Sequence, residues 1–170
     1  MDRESIFQHV QDIIKDSDIF AATEFLFQLG DPESIVDAFG KLLLDIYHKN
    51  KSIDQAMHFG QAGINFALFQ AVSVQKLNPS LAKELRFGAK KMATNIASFT
   101  WPGWDEPGIK LSPQHKKTGL IYAKFSIRLL LELEPSADQL SFSYWFLGAQ
   151  LLANRNHQEA IGVTDFNCAT

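Results

Sequence analysis

Lys83, Arg86, Lys90 and Lys91 lie three and four residues apart, so most of this basic strip shares one side of a helix. Phosphate binding would use such a strip. No exposed aromatics interleave with it and no nucleic-acid motif accompanies it, so it reads as a solvated helix face and nucleic acid is not an expected partner. Asp54 and His58 are one helical turn apart and could contribute two metal ligands, but a site needs three or four. The remaining histidines, His9, His48, His115 and His157, are scattered. No metal and no cofactor is expected. Catalytic signatures are missing: there is no Gly-x-Ser-x-Gly, no phosphate-cradling glycine loop and no His-Glu-x-x-His. Cys168 stands two residues from the end, a poor place for a preorganised nucleophile, and Glu132 and Glu134 fall on different helix faces. No catalytic residue is assigned. Because active sites also assemble from distant residues, a small helical enzyme or ligand-binding bundle stays open as an alternative.

The chain that must position these groups has 170 residues, enough for one sizeable core, with 46% apolar and 21% charged residues. Fourteen phenylalanines supply large areas to bury. The net charge of -3 is unevenly spread. Residues 1–50 hold ten acids and four bases, residues 51–134 eleven bases and six acids, and residues 135–170 three acids and one base. Solvated helix faces account for this, and a basic central surface facing an acidic partner is the sharper reading. A single cysteine excludes an intramolecular disulfide. The first twenty residues carry five acids and no apolar leader, and no run of about 18 uncharged apolar residues occurs. A cytoplasmic location and no membrane partner are expected.

Apolar spacing is helical almost throughout. Ile6, Val10 and Ile13 mark a first helix over about 3–16. Asp18 can cap a second that Gly30 ends, and Asp31-Pro32-Glu33 opens a third with a cap, a first-turn proline and a dipole-matched acid. A polar break at 48–51 and the cap Ser52 lead to a fourth helix reaching about Leu77. Asn78-Pro79 separates it from a fifth, about 80–99. Residues 100–113, with two prolines and two glycines in Thr100 to Gly108, predict an ordered loop. The Trp101–Trp104 segment there is either a recognition element or a loop that plugs an open helical edge. Helices follow over about 113–132 and 137–153, and a last one starts near His157. Within the fourth helix, Ala56, Gly60, Gly63, Ala67 and Ala71 form one stripe of small side chains. Its two glycines cost about 1 kcal/mol each relative to alanine, which predicts close approach of another backbone.

Two segments align without gaps, Gly40 to Gly63 and Tyr144 to Asn167. Tyr144, Leu147, Gly148, Leu151 and Ala160-Ile161 in the later copy, and Tyr47 and Ala56-Met57 in the earlier, resemble the tetratricopeptide repeat. Ala123 through Pro135 resembles a repeat's second helix with its closing proline. Gly40 departs at the first aromatic slot, and Leu44 replaces the small residue. The resemblance implies an all-α fold of antiparallel hairpins stacked as a right-handed solenoid of seven to eight helices. It implies one domain over 1–170, with hairpins near 33–77, 80–134 and 137–170 and the irregular loop 100–113. It also implies a concave groove lined by Lys41, Asp45, His48 and Lys49 in the earlier copy and by Trp145, Ala149, Leu152 and Ala153 in the later. Lys41, Asp45 and Lys49, spaced by four, do share one helix face. The family often grips acidic peptide ends with such bases, although no asparagine pairs with Lys41 here. The implied function is a protein- or peptide-binding adaptor whose ligand has an acidic end and an apolar portion. A subunit that completes its stack by self-association is the further alternative.

Overall fold

The computed structural model describes residues 1–167, with side chains through Val163. Cys168 lies outside the described residues. Among them the chain is all-α, without strands: α1 (Arg3–Asp16), α2 (Ile19–Leu26), α3 (Pro32–Asp45), α4 (Ile53–Val74), α5 (Pro79–Phe99), α6 (Pro113–Leu131), α7 (Ala137–Ala153) and α8 (His157–Asn167). A π-helical turn, Ile46–Asn50, extends α3, and a 3-10 turn, Pro102–Trp104, lies in the α5–α6 loop.

Side-chain caps explain most of these starts. The carboxylates of Asp2, Asp18 and Asp31 accept from the N–H groups of Ser5, Ala21 and Ser34, at 2.8, 2.8 and 2.9 Å. Ser52 opens α4 in the same way, and α6 and α7 begin with capping boxes, Ser112 with His115 and Ser136 with Gln139. Asn78 is the cap of α5, its side-chain oxygen accepting from Leu81 N–H at 3.1 Å. Helix α4 ends at Val74, ahead of the expected Leu77, and residues 75–77 run on as a turn in which the N–H groups of Leu77 and Asn78 both donate to the Val74 carbonyl, at 3.0 and 2.8 Å. The break expected at 48–51 is instead a wider helical turn. Ile46 and Tyr47 are buried in the packing, and their anchorage keeps the backbone coiled up to Lys51, whose φ of 55° ends it.

Two compact units divide the chain within α5, residues 1–92 and 93–170. In the N-terminal unit, α1 packs on α2 and α3, and α3 packs along α4. Phe39, Leu43, Ile46 and Phe59 are fully enclosed. The small-residue stripe of α4 is buried throughout. At Gly63, side chains fill the space rather than a backbone: an added Cβ would stand 2.7 Å from Phe39 Cβ and 2.7 Å from Met92 Sδ. Met92 can swing its sulfur away, but Phe39 Cβ is tied to its own helix. Gly63→Ala is therefore expected to lower stability by about 1–2 kcal/mol, overpacking outweighing the gain in helix propensity. Urea unfolding followed by circular dichroism reads this, and an unchanged or raised midpoint would refute the packing argument.

In the C-terminal unit, α6 packs on α7 and α7 on α8. Ala97, Ala123, Ile127, Phe146, Leu147, Leu151 and Ala160 form its core cluster, with Trp101 packed against them.

Candidate protein-binding surface

The residues singled out from the repeat pattern fall in both units. Lys41, Asp45, His48 and Lys49 belong to the N-terminal unit, and Trp145, Ala149, Leu152 and Ala153 to the C-terminal one.

In the N-terminal unit the charged ladder is engaged within the chain. Asp45 is buried at the end of α3, and Arg3 of α1 clamps it in two-point fashion, Nε donating at 2.7 Å and Nη2 at 3.1 Å. Burial pushes the Asp45 carboxyl up, but the Arg3 hydrogen bonds and the charges of Arg3 and Lys49 outweigh it, so the group is held below its ordinary value. Lys49 Nζ lies 2.6 Å from Glu4 Oε2 and 3.4 Å from Asp45 Oδ1, and 4.3 Å above the Phe7 ring centroid. The hydrogen bond to Glu4, more than the nearby charges, raises the Lys49 ammonium. Asn50 adds a 2.6 Å donation to Gln11. These contacts latch α1 onto the π-turn. Lys41 pairs with Asp37 on its own helix at 2.6 Å and lines a pocket of about 260 Å³ with Arg3, Phe7 and Leu42. His48 is exposed on the π-turn, its ring edge-on to Tyr47.

In the C-terminal unit Trp145, Ala149 and Leu152 do come together. With Gly148 on α7 and Ala160 and Ile161 on α8 they line an apolar cleft of about 300 Å³. Its large side chains are half open to solvent: Trp145 is 52% exposed, Leu152 55% and Ile161 62%. The local sequence explains this shape. Gly148, Ala149 and Ala160 let α7 and α8 approach and leave a shallow floor, and the indole, Leu152 and Ile161 stand up around it. Phe142, 56% exposed, extends the surface by one turn, its ring 6.0 Å from Trp145 and stacked on Phe146 at 6.4 Å. The repeat pattern passes over Phe142. Its signal was the spacing 142, 145, 149, 152, an apolar line with no charge in it.

The loop between α5 and α6 folds back beside this surface. Trp101 packs edge-on against Trp104, Trp145 and Phe146 at 5.0, 6.2 and 6.3 Å. Trp104 stays half-exposed and donates its indole N–H to Ser98 Oγ at 3.0 Å. One tryptophan thus covers the core edge and the other faces solvent.

The other candidates acquire structural neighbours. His58 hydrogen-bonds Thr23 at 2.9 Å and lies edge-on to Phe20 and Phe59, and burial pushes its imidazolium pKa down. Among the described residues no group of three or more metal-ligating side chains converges. On α5, Arg86 donates to Gln75 at 2.6 Å and burial lowers the Lys90 ammonium, while Lys91 lies over the ring of Phe87, an exposed aromatic within the strip where none is expected from the sequence. Among the described residues no helix is long and apolar enough to cross a membrane. The chain matches no protein-family model, no curated protein and no solved structure.

Proposed function

We propose that this chain is a protein-binding adaptor of tetratricopeptide-like helical hairpins, engaging an apolar segment of a protein partner through the α7–α8 cleft. One observation carries the reading. Trp145, Leu152 and Ile161 leave more than half their surface in water around a small-residue floor. Exposed apolar side chains clustered around a concavity cost solvation unless a partner covers them. A tryptophan at the edge of such a cleft is the residue type that dominates binding energy elsewhere. The basic residues Lys41 and Lys49 remain the proposed contacts for an acidic end, though both already hold carboxylates of their own chain.

The test places a photoreactive amino acid at Leu152 and compares captured proteins with those from the same probe carrying Trp145→Ala, folding checked by circular dichroism. Loss of the indole is expected to weaken capture on the order of 30-fold, the effect of one dominant interface residue. Equal capture by both proteins would remove the cleft from the function.

A further inference from the structure

We infer that the occupant of this cleft is a second copy of the same chain, α7 packing antiparallel on α7 about a two-fold axis that crosses its outer face between Trp145 and Ala149. The inference rests on the protein-binding reading and names its partner.

Three features of the surface converge on this. The first is the pattern. Phe142, Trp145, Ala149 and Leu152 are spaced by three, four and three, the seam that lets one helix seat side chains between those of another. The second is size. When α7 is laid antiparallel on itself about position 147, Phe142 of one copy meets Leu152 of the other. Trp145 of one copy meets Ala149 of the other, over the cleft floored by Gly148 and Ala160. Each copy therefore offers one large side chain and one cavity, and the two fit reciprocally, as a two-fold interface requires. A parallel pairing would set Trp145 against Trp145 and leave both clefts unfilled. The third is charge. The seam has no ionisable group between its ends, with Asp138 in its first turn and Arg155 just past its last. The antiparallel register brings Asp138 of each copy beside Arg155 of the other, two equivalent opposite-charge pairs. Parallel pairing would set like against like. Ile161, on the neighbouring helix and 62% exposed, would close the side of the interface.

Sedimentation equilibrium across the micromolar range on the full chain tests the pairing. The wild type is expected to pass from monomer to twice the monomer mass as concentration rises. Trp145→Ala, folded by circular dichroism, is expected to stay monomeric. Asp138→Arg and Arg155→Asp are each expected to weaken dimerisation on the order of tenfold. The double exchange is expected to restore it, which no purely structural role of either residue would produce. A wild type monomeric at every concentration overturns the inference, whether the cleft is then empty or covered by the chain's own terminal residues. So does a dimer that persists in Trp145→Ala, or a charge exchange without rescue. If self-association fails but the Leu152 probe still captures other proteins, the protein-binding reading survives with a different partner. If neither occurs, both fall.

Discussion

Gly119→Ala is expected to destabilise the C-terminal unit by about 3 kcal/mol, more than Gly63→Ala costs the N-terminal one. Gly119 sits on α6 opposite the last turn of α5, where Thr100 is fully buried. Thr100 Oγ1 bonds the carbonyls of Ile96 and Ala97 at 2.8 and 3.0 Å, and Gln150 Nε2 donates to the same Ala97 carbonyl at 2.5 Å. A Cβ on Gly119 would overlap Thr100 Oγ1 and stand 3.0 Å from Thr100 Cβ and 3.1 Å from Gln150 Nε2. Neither neighbour can retreat, since both are enclosed and hydrogen-bonded, and Gln150 Oε1 already has no hydrogen-bond partner among the described residues. The helix-propensity gain of alanine, up to about 1 kcal/mol, offsets only part of this. All three tryptophans lie in this unit, so their fluorescence during urea unfolding reads the effect directly. Thr100→Ala removes the obstructing hydroxyl while leaving both carbonyls otherwise placed. The double variant should therefore recover about 2 kcal/mol relative to additivity. A strictly additive pair would show that the steric account is wrong.

Asp45→Ala is expected to cost about 2 kcal/mol near neutral pH, with a pH dependence of defined sign. The carboxylate is the buried centre of the latch between α1 and the π-turn, and its removal strands Arg3, while Lys49 loses its weaker contact and keeps Glu4. Both cations keep 40% or more of their side chains in water, so the loss falls below that of leaving a fully buried orphan charge. Because the folded-state pKa of Asp45 is lowered, its contribution is complete above the unfolded carboxylate value and disappears as pH falls through the folded one. The stability gap between wild type and variant should thus be full at roughly pH 6 and shrink progressively at acidic pH, below the unfolded carboxylate value of roughly 3.9. The capping carboxylates Asp2 and Asp31 are also held low by hydrogen bonds from Ser5 and Ser34, and they remain in both proteins. They therefore cancel in the comparison. Urea midpoints that differ equally across this pH range would remove Asp45 as the acid-sensitive group.

The sequence by itself determined the helices. Local chemistry sufficed: Asp18, Asp31 and Ser52 are caps wherever the chain goes, prolines cannot continue a helix, and apolar period marks the buried faces. It also determined that Trp145, Ala149 and Leu152 would share a face, because i, i+4 and i+7 do so on any helix. The charges were another matter. Lys41, Asp45 and Lys49 read as a face offered to a ligand, yet Arg3 and Glu4, about forty residues away in sequence, take up Asp45 and Lys49. No spacing rule reports a partner at that separation. The same holds for Trp101 and Trp104, identical in type and three residues apart, of which one packs on the core and one faces water. It holds too for Gly63 and Gly119, where the missing side chain makes room for Phe39 in one unit and Thr100 in the other. Periodicity follows from bonds along the chain and is legible there. Which side chain fills which space depends on pairs of helices meeting, and only the tertiary structure decides it.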